Sequence, residues 1–242
     1  TGDLDIFGEH SLFQLINRCS TSKGKATLAR QMQHPAEREE VMIRQAAVRE
    51  LQPQLDWRQD FQAYGRVAEA NEEDTNTLLK WTEEPPAIEK RLAYKVALYI
   101  LPLFTLTGIF FYFFGDALAY WPVGAIAVNM FILWSTAEKA SLTHRKTFKS
   151  ISALQAYKAM ISSVEQKDFE HERLQQLKAH FQNEGTQASK EINKLEYILD
   201  NFNARGNLFY HIFNVVLLLD VYWLLRADRW KMNLKSDISH WF

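Results

Sequence analysis

Two long charge-free runs decide what this chain can become. Val96 to Gly115 reads VALYILPLFTLTGIFFYFFG, and Ala117 to Ala137 follows after the single charge of Asp116. At about 1.5 Å of rise per helical residue, twenty and twenty-one residues each match the roughly 30 Å hydrocarbon core of a bilayer. The first run holds twelve Leu, Ile, Phe or Val residues. At about −0.3 to −0.6 kcal/mol apiece, these favour insertion by roughly 4–7 kcal/mol, before costs for Pro102 and Gly108. The second holds seven, worth roughly 2–4 kcal/mol, and carries Pro122, Gly124 and Asn129, so it is expected as the return half of a hairpin. Lys90, Arg91 and Lys95 flank the start, and Lys139, Arg145, Lys146 and Lys149 follow the end. That asymmetry is the positive-inside pattern of a transmembrane hairpin with both ends in the cytoplasm. The alternative is a helical hairpin buried in a soluble bundle.

A third run, Gly206 to Leu225, also has twelve strong apolar residues, but Asn207, His211, Asn214 and above all Asp220 interrupt it. A carboxylate near a helix centre costs about 2.5–3.5 kcal/mol on the insertion scale, which leaves a spanning segment and a buried core helix evenly matched. An odd number of spans would carry the C-terminal end across the membrane, which favours burial or a shallow interfacial position.

The rest of the chain reads as amphipathic helices. Leu55 to Ala70 carries Trp57, Phe61, Tyr64 and Val67 at helical spacing, and a short helix around Leu78, Leu79 and Trp81 runs into Glu83-Glu84-Pro85-Pro86, a strong break. Further helices are expected over Lys146–Val164, from an Asp168 cap to Gln182 with Gly185 at its end, and from Thr186 to about Ala204. Apart from Asp3 to Phe7, no alternating strand pattern stands out. The fold class is therefore all-α: a long-helix antiparallel bundle with an inserted hydrophobic helical hairpin.

Sites for chemistry are sparse. Lys and Arg number 28 against 29 Asp and Glu, without the basic excess that usually marks a phosphate-gripping domain. Lys23-Gly24-Lys25 lacks the leading Gly and the hydroxyl of a phosphate-binding loop and reads as a helix start. The seven His residues show no metal-ligand spacing, and Cys19, expected on an apolar helix face, is read as a small core residue. Neither a catalytic residue nor a metal or cofactor site is assigned, and this segment is expected not to be an enzyme.

The first fifty residues are dense in helix punctuation. Ser11 and Gln14 have capping-box spacing, so a helix should start at Leu12 with Leu15, Ile16 and Cys19 on its face. Thr21 or Ser22 can cap a second helix through Leu28, Ala29 and Met32, ending near His34 because Pro35 disfavours a helical residue before it. Pro35 should open a third helix, with Glu37, Glu39 and Glu40 in its first turn and Val41, Ala47, Val48 and Leu51 inward.

This ordered set, Leu4, Ile6, Phe7, Ser11, Leu12, Leu15, Ile16, Thr21, Gly24, Leu28, Pro35, Val41, Arg44, Gln45, Ala47, Val48 and Leu51, resembles the start of the core domain of the MutS family of DNA mismatch-repair ATPases. The resemblance implies core helices over 1–90, an inserted hydrophobic hairpin over 91–138, and lever-like helices over 139–242 leading toward an ATPase domain. It further implies a parent protein that binds ATP and Mg in that ATPase domain, contacts DNA and forms a homodimer through it. For this segment it implies a non-catalytic mechanical link on the cytoplasmic side of the inner membrane, or in the cytoplasm if the hairpin is a soluble core. The family's polar DNA clamp is not visible between the levers, where the hydrophobic hairpin stands instead. A membrane-anchored helical scaffold that does not act on mismatches is the second reading.

Overall fold

The computed structural model describes residues 5–70, 72–115, 121–183 and 186–241; Leu4, Asp116, residues 117–120 of the second apolar run and Gly185 lie outside them. Among the described residues the chain is mostly helical, with α1 Leu12–Ile16, α2 Ser22–Gln33, α3 Arg38–Leu51, α4 Leu55–Ala70, α5 Glu72–Glu83, α6 Leu92–Phe114, α7 Trp121–Thr147, α8 Ser150–Gln166, α9 Glu172–Ala179, α10 Ala188–Asn203, α11 Leu208–Leu217 and α12 Leu219–Trp241. A two-residue antiparallel pair, β1 Gln182–Asn183 and β2 Thr186–Gln187, sets Gln182 opposite Gln187 and is too short to alter the all-α class. Residues 5–7, within the suggested strand, form a turn and bends.

The chain divides into two compact units. One takes in Thr1–Glu72, Ser152–Ile192 and Trp241–Phe242; the other takes in Glu73–Ile151 and Asn193–His240. In the first unit, Ala47, Phe169 and Leu174 form a core against Leu51, Trp57 and Val164. The Trp57 ring stands edge-on to Phe169 at 6.0 Å, and its indole N–H donates to the Ser163 carbonyl at 3.3 Å. Glu50 of α3 accepts from the backbone N–H groups of Glu170 at 2.9 Å and His171 at 2.7 Å, which ties the start of α9 to α3.

The punctuation of the first helices is visible atom by atom. Ser11 Oγ accepts from the Gln14 N–H at 3.3 Å, while Gln14 Oε1 reaches back to the His10 N–H at 2.8 Å, one residue outside the usual box. Thr21 Oγ1 accepts from the Gly24 N–H at 3.2 Å. A Cβ on Gly24 would lie 3.0 Å from that same oxygen and 3.3 Å from Cys19 Cβ, so a side chain there would press on the cap. Thr21→Ala should cost about 1 kcal/mol, measured by chemical denaturation in mild detergent, because an orphan helix-end donor loses its partner.

Several boundaries differ from the periodic reading. α1 stops at Ile16, so Cys19 lies in the extended link to α2, half-buried beside the Asn17 side chain that accepts its N–H. α3 starts at Arg38 rather than at Pro35, with Glu37 as its cap; Glu39 and Glu40 do occupy the first turn, and Arg44 bonds Glu40 at 2.7 Å. α7 runs on to Thr147, so α8 starts later than Lys146. His171, not Asp168, caps α9: its Nδ1 accepts from the Arg173 N–H at 3.2 Å. The third apolar run is not one continuous helix. It breaks at Leu218, which takes the left-handed conformation at φ 54°, and the helices on either side meet at 81°.

Candidate membrane-embedding site

Within the second unit, α6, α7 and α11 pack on one another, yet most of their large apolar side chains face outward. Only 11% of the most apolar stretch of α6 is buried, and this is the one described helix that is by itself long and apolar enough to cross a membrane. On α6, Tyr99, Ile100, Leu103, Leu106, Phe110 and Phe113 are exposed. Val123, Phe131 and Trp134 of α7 and Leu208, Phe209, Ile212 and Phe213 of α11 are exposed as well. A cluster of this size on a water-soluble surface marks an interaction site. Phe104, which the soluble-bundle alternative would bury, is 45% exposed.

What the three helices bury between them is small or polar. A Cβ on Gly108 would lie 2.9 Å from Pro122 Cγ, so α6 and α7 cross closely there, a contact open to a small residue alone. Asn129 of α7 is fully buried, and its amide donates to Thr105 Oγ1 of α6 at 3.1 Å and to the Val215 carbonyl of α11 at 2.9 Å. One side chain therefore straps all three helices. Asn129→Leu keeps the branched outline of the side chain and removes both donors, and it should separate α11 from the hairpin at a cost of about 1–2 kcal/mol, measured as faster proteolysis between Asn207 and Leu219.

Away from the apolar faces the chemistry changes. Asp220 is 5% exposed, accepts from the Tyr210 hydroxyl at 2.8 Å and pairs with Arg205 at 3.2 Å. His144, seven residues beyond the second apolar run, is held below its ordinary pKa, first by burial and then by Arg205, with Asp220 opposing. Asp228 of α12 is 2% exposed and accepts from the N–H groups of Ile88 at 2.8 Å and Glu89 at 3.1 Å, in the segment that leads into α6. Lys231 sits 3.7 Å from Asp228 and 4.5 Å from the Trp81 ring centroid. Lys139 donates to the Ala87 carbonyl at 3.0 Å, and Glu89 pairs with Lys95 and Arg229. Several of the basic residues read as flanking charges are therefore pinned in a polar layer at the base of the hairpin.

The residues that carry the family resemblance fall elsewhere, in the first unit. Phe7 packs on Phe13, Ser11 and Thr21 are caps, Gly24 is the crowded position, and Leu12 and Leu15 are exposed. Leu28, Pro35, Val41, Arg44, Gln45 and Val48 line one open groove of about 740 Å³ between α2 and α3. Val41 and Val48, expected inward, are exposed, while Leu51 is half-buried against the core. Leu4 lies outside the described residues. Among the described residues, no group of three or more His, Cys, Asp or Glu side chains is placed to hold a metal ion. Periodicity pointed to the hairpin but not to Asp228 and Lys231, whose partners are about 140 residues away in sequence or on another helix; the unusual acid in an otherwise basic and aromatic stretch, RADRWK, was the available signal.

These features define a mostly helical protein with an exposed apolar hairpin above a polar base. No family model, curated protein or solved structure matches the chain.

Proposed function

We propose that this chain is the non-catalytic, membrane-anchored core and lever segment of a MutS-like ATPase, and that it transmits movement between the ATPase and the parts of the parent that hold its substrate. The observation that carries the membrane reading is the outward-facing apolar surface of α6, 11% buried over its most apolar stretch and long enough for a bilayer. The family reading rests on the ordered residues from Phe7 to Leu51, two of which, Thr21 and Gly24, have a shared physical reason for their spacing. Where the family's polar clamp would stand, this chain carries aromatic and aliphatic side chains. That favours a parent whose substrate is something other than mismatched DNA.

The test is flotation of the purified chain with phospholipid vesicles. It should float and resist carbonate extraction; recovery as a compact monomer without detergent would overturn the membrane reading. The same preparation should hydrolyse no ATP, since ATP and Mg belong in this reading to the ATPase domain. Filter binding at physiological salt should show weak duplex DNA binding with no mismatch preference, because a chain of net charge −1 releases few counterions. Tight, mismatch-selective binding would contradict that.

A further inference from the structure

The broken third apolar run has a path that the helix contacts define. The stretch just before α11 sits at the charged end of the hairpin. Phe202 lies 6.2 Å from the His144 ring, and the Arg205 guanidinium lies over Phe202. The far end of α11 sits at the middle of the hairpin, since the Val215 carbonyl is held by Asn129, which also bonds Thr105. Asn129 and His144 are fifteen residues apart on α7, about 22 Å. Ten residues of α11 supply roughly 15 Å, so the helix has to run along α7 toward the centre. After the break the chain comes back: by Asp228 it is bonded to Ile88 and Glu89, just ahead of α6.

The break is built for a place without water. Leu218 is fully buried, and its N–H donates to the Asn214 carbonyl at 2.8 Å. The Asn214 side chain then accepts the Asp220 N–H at 2.9 Å, capping the start of α12 from the preceding helix. Asp220 is paired with the Arg205 guanidinium and accepts from the Tyr210 hydroxyl. Irregular backbone is tolerated at membrane depth when it is enclosed in protein and its polar groups are satisfied. The outer face of α11, by contrast, is Leu208, Phe209, Ile212 and Phe213, all exposed.

We infer that α11 and the start of α12 form a re-entrant membrane loop: the chain dips beside the hairpin to the bilayer centre and returns to the side it left, with acyl chains against the outer face of α11. This rests on the membrane reading of the hairpin. It goes further by assigning α11 a lipid contact and by keeping the chain on both sides of the loop on one face of the membrane. Three features agree on it: the half-length of α11, its contact at mid-hairpin, and the return to Glu89.

The test uses the whole chain with Cys19→Ser, reconstituted in phosphatidylcholine–phosphatidylglycerol vesicles that carry an acyl-chain nitroxide. A bimane label at Phe213→Cys should be quenched to within twofold of the same label at Leu103→Cys on α6. If Phe213→Cys does not fold, Phe209→Cys presents the label on the same face. In a second chain, Gln176→Cys and Met232→Cys are combined, both at exposed positions that flank the loop in sequence. A membrane-impermeant maleimide should add two labels or none to each molecule by intact mass. One label per molecule would show a crossing and overturn the inference. An unquenched α11 label beside a quenched Leu103 label would also overturn it while leaving the hairpin reading in place. An unquenched Leu103 label would bring down both.

Discussion

Leu103→Lys combined with Leu106→Lys should abolish carbonate-resistant membrane association and leave the helical content unchanged. Both leucines are exposed near the middle of α6, at 65% and 47%. On a surface bathed in water, each change belongs to the class of substitutions worth less than about 0.5 kcal/mol. At the centre of a bilayer each lysine costs about 2.5–3.5 kcal/mol, and together they match or exceed the roughly 4–7 kcal/mol that favours insertion of the whole first run. The two environments therefore predict opposite results at identical positions. Retained association, or an unchanged chain that never needed a membrane, would sink the proposal. Phe104→Lys is a weaker choice, because Phe104 lies against Trp121 with ring centroids 4.4 Å apart and its loss would also disturb the hairpin.

Asp228→Ala should be among the most damaging single changes in the second unit, about 3–5 kcal/mol in a chemical denaturation curve. It leaves two backbone donors, those of Ile88 and Glu89, without their acceptor and strands the Lys231 ammonium, 4% exposed, without its anion. Adding Lys231→Met should recover the part owed to the stranded charge but not the part owed to the two N–H groups. The pH dependence separates them. Burial, the largest influence, holds the Lys231 pKa below its ordinary value, against the pull of Asp228 and Glu84. Between its folded and unfolded pKa values the unfolded chain binds the extra proton, so stability from this group rises with pH and falls as the pH drops through that window. Removing Asp228 takes away a group that raises the pKa and widens the window downward. The defect in Asp228→Ala should therefore shrink toward pH 10, and the added Lys231→Met should remove that pH dependence. A defect equally large at pH 7 and pH 10 would show that the ammonium is not what is stranded.

Much of the helix inventory was legible from residue spacing. α4 runs over Leu55–Ala70 as read, because Trp57, Phe61, Tyr64 and Val67 keep one helical stripe over about three turns and Pro53 sets its start. α5 stops at Glu83 ahead of Pro85, and Thr21 caps α2 through Gly24. Errors gathered where two local signals competed. Asp168 and His171 can each cap α9, and the backbone chose His171 because Glu50 of α3 takes the N–H groups of Glu170 and His171. Pro35 can open a helix, but two more residues pass before α3 begins at Arg38, and Glu37 supplies its cap position. The Ser11 side-chain cap formed, yet α1 ended after five residues, which left Cys19 in the link.

The sequence alone determined that α6 is long and apolar, with no charge after Lys95, because hydropathy adds along a single helix whatever surrounds it. It also determined that the chain is helical, since apolar residues recur at three- and four-residue spacing from Leu12 to Phe202. The tertiary structure alone decided the outcome of the third run. Twelve apolar residues and one aspartate admit a span or a core helix equally, and the structure breaks the run into two helices that meet at 81°. Asn214 has to meet the Asp220 N–H, Arg205 and Tyr210 have to meet the Asp220 carboxylate, and Asn129 has to reach Val215 from another helix. These are pairings between groups up to 86 residues apart, and each one satisfies a polar atom that burial would otherwise penalise. Periodicity measures which face of a helix is apolar. It carries no information about which distant donor will meet a buried acceptor, and that choice put the bend at Leu218.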